Sequence, residues 1–158
     1  MDLQKPFLNL SDQVYIFLFF HSHCSCRSHQ YHFVNINLTW TEAQAYCRAN
    51  YTDLATIDNM EEMKRLSESV GSDYTGEAWI GLKNGTLWRW HWSSAEGETG
   101  YTNWNSSQPD NWGNIEHCTD FNGNGAWNDL SCSSTQPLYF VCYTGETTAD
   151  TVTQTWPL

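Results

Sequence analysis

The chain has 158 residues, the length of one ordinary domain, and its 18 acidic and 7 basic residues leave a formal net charge of −11. That sign argues against nucleic acid as a partner, because phosphate binding needs a basic face, and against docking on an anionic membrane surface. Aromatics make up 15% of the residues, with nine Trp and eight Tyr. Such a chain is expected to fold, and flat amphipathic rings suit both a core and the face of a sugar.

Residues 1–29 read as a leader. Val14–Phe20 (VYIFLFF) is an apolar run at the short limit of a signal segment and far too short to span a bilayer. His21-Ser22-His23-Cys24-Ser25-Cys26 follows it. No second cluster at zinc-finger spacing accompanies these residues, so they read as leader and not as a metal site. The body is expected over residues 30–143. Tyr31–Val34 reads as a strand. Thr39 and Glu42 form a capping-box pattern, opening a helix with Trp40, Ala43, Tyr46 and Cys47 on one face. Asp58 and Glu61 repeat that signal. Met60, Met63, Leu66 and Val70 then line a second amphipathic helix, with the Met as core filler and Gly71 as the stop. Trp79–Leu82 and the alternating Trp88–Trp92 read as strands. Residues 93–129 are rich in Gly, Asn, Ser, Asp and Trp without a regular period, and long irregular segments inside a domain are usually functional. Leu138–Tyr143 is a last strand. Two helices followed by short strands and a long loop indicate an α+β domain. Residues 144–158 carry six Thr and read as a disordered tail.

Six Cys suit a disulfide-bearing extracellular domain, although counting alone does not choose their pairing. Within residues 30–143, four sequons begin at Asn37, Asn50, Asn84 and Asn105, which supports a secreted glycoprotein. The most informative stretch holds Gln108-Pro109-Asp110-Asn111-Trp112, Glu116-His117-Cys118 and Trp127-Asn128-Asp129. Gln108, Asp110, Glu116, Asn128 and Asp129 offer five side chains ending in amide or carboxylate oxygen. A hard, oxygen-only set with three carboxylates suits Ca²⁺, and the lack of a thiolate or imidazole pair argues against zinc. Pro109 fixes one φ angle between two candidate ligands, and a cis bond before it would turn both toward one ion.

Trp79-Ile80-Gly81-Leu82, Gln108-Pro109-Asp110, Trp127-Asn128-Asp129 and four spaced Cys together resemble a C-type lectin-like domain covering about Gln30 to Tyr143. The resemblance implies that fold, with two helices, short antiparallel strands and a long calcium-binding loop region. It pairs Cys47 with Cys142 and Cys118 with Cys132, leaving Cys24 and Cys26 unmatched. It assigns Ca²⁺ to Gln108, Asp110, Glu116, Asn128 and Asp129. In the family two vicinal sugar hydroxyls complete the ion's shell and hydrogen-bond the same side chains. Gln-Pro-Asp is the galactose-type triplet and Glu-Pro-Asn the mannose type, because exchanging amide and carboxylate reverses the hydrogen-bond direction. The implied sugar-binding residues are Gln108, Asp110, Glu116 and Asn128, with Trp112 as the platform for galactose. There are two departures from the family pattern. The Gly-rich insertion that supports this Trp in galactose-type relatives is missing. Asn111 also replaces an acidic residue of a second calcium site, to which Glu98 is the remaining candidate contributor. The expected partners are galactose or N-acetylgalactosamine glycans on glycoproteins or microbial surfaces. A lone extracellular Ca²⁺ site, with Kd on the order of 10⁻⁴–10⁻³ M, favours an oligomer for avidity. The alternative is a protein- or ice-binding module on the same fold. An enzyme is not expected, because carboxylates that hold Ca²⁺ are not free as acid or base.

Overall fold

A computed structural model describes residues 28–85, 89–94, 100–133 and 137–145. The leader up to residue 27 with Cys24 and Cys26, Trp88, Glu98 and the tail from residue 146 lie outside the described residues. The order of elements is β1 (His29–Leu38), α1 (Trp40–Asn50), β2 (Asp53–Leu54), α2 (Met60–Val70), β3 (Glu77–Asn84), β4 (Trp90–Trp92), β5 (Glu116–Asn122), β6 (Trp127–Ser131) and β7 (Leu138–Gly145). One 3₁₀ turn, Trp112–Asn114, precedes β5.

The strands form one sheet in the order β1-β7-β3-β5-β6, with β2 on β7 and β4 on β3. The strands pair antiparallel, as expected, except that β3 and β7 run parallel, which makes the sheet mixed. The last strand inserts between the first and third, and the whole loop region serves as the crossover that a parallel pair requires. At the other edge of β7, His29 of β1 faces Gly145, so the two ends of the domain are zipped together.

The capping box of α1 forms as its sequence predicts. Thr39 Oγ1 accepts from the Glu42 N–H at 3.4 Å, and Glu42 Oε2 accepts from the Thr39 N–H at 3.0 Å. Trp40, Ala43 and Cys47 are buried, and Tyr46 packs edge-on against Phe140. Cys47–Cys142 bolts α1 to β7, and Cys118–Cys132 closes the β5–β6 end, the two pairings that the resemblance implied. The first closes a separation of 95 residues, which stabilises by about 4.7 kcal/mol in a chain-entropy account.

The start of α2 differs from expectation. The N-cap is Asn59, whose side chain accepts from the Glu62 N–H at 3.0 Å. Asp58 and Asn59 are both capable caps, and the carboxylate of Glu62 decides between them by turning inward. Glu62 is 1% exposed. Its Oε2 pairs with His29 Nδ1 at 3.0 Å and accepts from the Asp58 N–H at 3.0 Å and the Tyr31 hydroxyl at 3.3 Å. β1 is thereby held on α2. Met63 and Leu66 are core residues, and Gly71 ends the helix at φ 87°. Met60 is not core filler: it sits in the first turn, 65% exposed.

Gly81 has a packing reason. Its N–H donates to Ala55 O at 2.9 Å and its carbonyl accepts from the Ser93 N–H at 2.7 Å. A Cβ at this position would lie 2.8 Å from Leu54 O and 3.0 Å from Ala55 O. Gly81→Ala is therefore expected to cost about 2 kcal/mol, read as a lower denaturation midpoint. An unchanged midpoint would contradict this packing.

Burial pushes the Glu62 carboxyl up, but the bonds from His29 and the Asp58 N–H outweigh it and hold the group below its ordinary value. A depressed carboxylate stabilises the fold above its unfolded value of about 4.3, and that contribution is lost as pH falls through the lower folded value. Glu62→Gln should cost about 2 kcal/mol at pH 7, with the difference in melting temperature from the parent narrowing by pH 3. A difference that stays constant over that range would refute the assignment.

Candidate functional site

The irregular segment is pinned to the sheet through the backbone of one buried tryptophan. Trp127 is fully buried, with the rings of Trp92, Tyr101 and Trp104 within 6 Å edge-on. Its N–H donates to Asn103 O at 2.9 Å, and its carbonyl accepts from the Asn105 N–H at 2.8 Å. The apolar residue of Trp127-Asn128-Asp129 is thus the anchor, and the two polar ones follow it to the site. A turn then brings the Gln108 N–H to Asn105 O at 3.0 Å, with Ser107 at φ 70°. The Gln108–Pro109 bond is cis.

Beyond Pro109 the chain wraps around carboxylates. Asp129 accepts the N–H groups of Asp110 at 3.1 Å and Asn111 at 2.8 Å, one on each oxygen. The Trp112 N–H is shared by Asp110 Oδ1 at 3.1 Å and Glu116 Oε2 at 2.8 Å. The Glu116 N–H returns to Asn111 Oδ1 at 3.1 Å. Asp110, Glu116 and Asp129 place carboxylate oxygens within 4.8 Å of one another. Asp129 is buried, Glu116 half-buried and Asp110 exposed, so the cluster has a floor and an open side.

Like charges so close oppose one another. Burial first, then the charges of Asp129 and Asp110, push the Glu116 carboxyl above its ordinary value, against the Trp112 N–H that lowers it. Gln108 Oε1 is buried and has no hydrogen-bond partner. A buried acceptor left without a donor costs free energy unless something electropositive meets it. Three carboxylates and an orphaned amide oxygen form a donor set that fits a hard divalent cation.

Asn128, the remaining expected ligand, is oriented by neighbours. Its Oδ1 accepts from Asn105 Nδ2 at 3.2 Å, and its Nδ2 lies 3.4 Å from both oxygens of Asp120. Asp120 is fully buried. Burial foremost, then the charge of Glu77, pushes its carboxyl up to about 7, and the Asn128 amide draws it back. Asp120 was not expected at the site, and Asn105 was expected there only as a sequon beside the loop whose glycan could crowd it. Nothing local in sequence marks either: Asp120 meets Asn128 through the pairing of β5 with β6, and Asn105 through the loop's backbone bonds to Trp127. Asn111, expected only as a lost ligand, serves instead as the loop's internal brace.

Trp112 is 72% exposed and stands two residues beyond Asp110, with Ile115 exposed beside it. Trp40, Trp79 and Trp127 are buried scaffold. Of the sequons, Asn37, Asn50 and Asn105 are exposed, whereas Asn84 is half-buried with a shielded, unpartnered Oδ1. No helix among the described residues is long and apolar enough to cross a membrane.

Residues 36–144 match the family model of the lectin C-type domain. Human C-type lectin domain family 10 member A is 34% identical over 113 residues, covering 68% of this chain and 34% of that protein. Mouse asialoglycoprotein receptor 1 is 38% identical over 112 residues, covering 66% of this chain and 37% of the receptor. The chain thus spans about a third of the length of these two relatives. Perlucin of Haliotis laevigata is 34% identical, covering 66% of this chain and 68% of perlucin. Among solved structures, the C-type lectin CEL-I from Cucumaria echinata superposes with a TM-score of 0.65 at 28% identity, covering 73% of this chain and 89% of CEL-I. Herring type II antifreeze protein does so with a TM-score of 0.64 at 26% identity, covering 74% and 91%. With this fold, these two disulfides and this match over most of its length, the chain belongs to the lectin C-type domain family.

Proposed function

We propose that the domain binds galactose-type glycans through a calcium ion held at the loop cluster. The observation that carries this reading is the convergence of three carboxylates beside the buried, unpartnered Gln108 Oε1. Gln108, Asp110, Glu116, Asn128 and Asp129 would hold the ion. Bound there, calcium supplies positive charge and open coordination positions for a pair of vicinal hydroxyls.

The chain's own residues do the rest. Asp110 and Glu116 line the open side and accept hydrogen bonds from sugar hydroxyls, while the amide of Gln108 donates. That donor-acceptor order supports the galactose-type preference. Trp112 offers an exposed indole to the apolar face of the ring. Its family support, a Gly-rich insertion, is absent, and here Asp110 and Glu116 hold its backbone N–H. Asp110 and Glu116, committed to an ion, do not act as the acid and base of a glycosidase. The disulfides and sequons support an extracellular, secreted glycoprotein whose partners are glycans on glycoproteins or microbial surfaces, with oligomers raising the avidity of a single weak site.

In a column test, the protein is expected to stay on immobilised galactose in millimolar Ca²⁺ and to elute with EDTA or free galactose. Retention that ignores EDTA, or no retention with Ca²⁺ present, would contradict the mechanism. The double change Gln108→Glu, Asp110→Asn keeps the shapes and reverses the amide and carboxylate. It should move preference toward mannose by about tenfold, the worth of one reorganised hydrogen-bond pair of about 1.4 kcal/mol. An unaltered sugar profile on an array would show that the triplet does not set specificity.

A further inference from the structure

Asn105 stands at the junction of the two amides assigned to the ion. Its Nδ2 donates to Asn128 Oδ1 at 3.2 Å. Its backbone carbonyl accepts from the Gln108 N–H at 3.0 Å. Its Oδ1 accepts from the Ser106 N–H at 2.8 Å, which locks the side chain's rotamer, and its own N–H is fixed on Trp127 O. One residue therefore sets the position of the Gln108 turn and polarises the oxygen of Asn128. It is also the acceptor of an exposed sequon, Asn105-Ser106-Ser107.

We propose that Asn105 is a positioning residue for the ion site and that an N-glycan on its Nδ2 turns the site down. This inference rests on the calcium reading above and on passage through the secretory route. In the modification, Nδ2 bonds to the anomeric carbon of the first sugar of a lipid-linked pyrophosphoryl oligosaccharide. That carbon's bond to the pyrophosphate oxygen breaks, the lipid pyrophosphate leaves, and Nδ2 gives up one proton. The new bond is about 1.5 Å long, so the first sugar ring starts within van der Waals reach of an amide oxygen only 3.2 Å from Nδ2. Replacing the hydrogen that faces Asn128 Oδ1 removes its donor, and replacing the other leaves that N–H but sets the first sugar against the same amide. Asn105 is exposed, so a glycan here projects from the folded surface beside the site. Asn84 contrasts with it, since its amide oxygen is shielded within the fold. Asn37 and Asn50 are carried by β1 and α1, and none of the hydrogen bonds described ties them to the loop cluster.

Two variants separate the hydrogen bond from the glycan. Ser107→Gly removes the sequon and keeps Asn105, and glycine suits the φ of 70° at that position. Asn105→Ala removes both. Wild type and both variants are secreted from the same eukaryotic cells. Occupancy of Asn105 is read by glycopeptide mass spectrometry, Ca²⁺ affinity by titration, and melting temperature in EDTA. The proposal expects Asn105 to be occupied in wild type. It expects Ser107→Gly to bind Ca²⁺ at least fivefold more tightly than occupied wild type, and Asn105→Ala to bind at least fivefold more weakly than Ser107→Gly. Melting temperatures in EDTA should stay within about 2 °C, which a merely structural role would not allow. Equal Ca²⁺ affinity in occupied wild type and Ser107→Gly, or an unoccupied Asn105, overturns the proposal. If no form binds Ca²⁺, Ser107→Gly included, the calcium reading itself fails and this inference falls with it.

Discussion

Three carboxylates crowd one point, and the architecture of the loop region follows from keeping them there. Asp110, Glu116 and Asp129 would spread apart if left to their charges. Each is restrained by backbone N–H groups that only this wrapped conformation can aim: those of Asp110 and Asn111 on Asp129, and that of Trp112 on both Asp110 and Glu116. The Glu116 carboxyl is still raised, by burial first and then by the charges of Asp129 and Asp110, against the N–H that lowers it. Together with the orphaned oxygen of Gln108, the arrangement is preorganised for positive charge.

Preorganisation depends on the scaffold beneath. The loop rests on the backbone of Trp127, which three aromatic rings hold from the side. β6 is paired to β5, β5 to β3, and β3 to β7, which the Cys47–Cys142 bond ties to α1. Cys118–Cys132 closes the strand pair that carries Glu116, Asn128 and Asp129. On the far side, the buried His29–Glu62 pair holds β1 to α2. The site residues are thus presented by covalently closed, sheet-bound elements, although the ligand-bearing loop has no regular structure of its own.

Much of this was legible in the sequence, for local reasons. A capping box is written in four adjacent residues, and α1 starts where Thr39 and Glu42 say. The oxygen donors were legible because residue type and clustering carry their chemistry, and the disulfide pairing came through family resemblance. What failed or was missed is non-local. Asp58 and Asn59 are equivalent caps until Glu62 is drawn inward by His29, 33 residues away. Met60 fits the apolar stripe but lies in a first turn that the core does not reach. The parallel β3–β7 pair follows from where the last strand inserts, which no local pattern records. Asn105 and Asp120 reach Asn128 only through pairing across 23 and 8 residues. Nine Trp were individually ambiguous, and burial separates Trp112 from the scaffold.

The central claim is that one ion, held by this oxygen set, is also what the sugar touches. A crystal structure of the domain grown with Ca²⁺ and galactose tests it most directly. The account predicts one ion bound by Gln108, Asp110, Glu116, Asn128 and Asp129, with two vicinal hydroxyls of galactose completing its shell and the ring against Trp112. Galactose bound away from the ion, or a cluster without calcium at millimolar concentration, would contradict it.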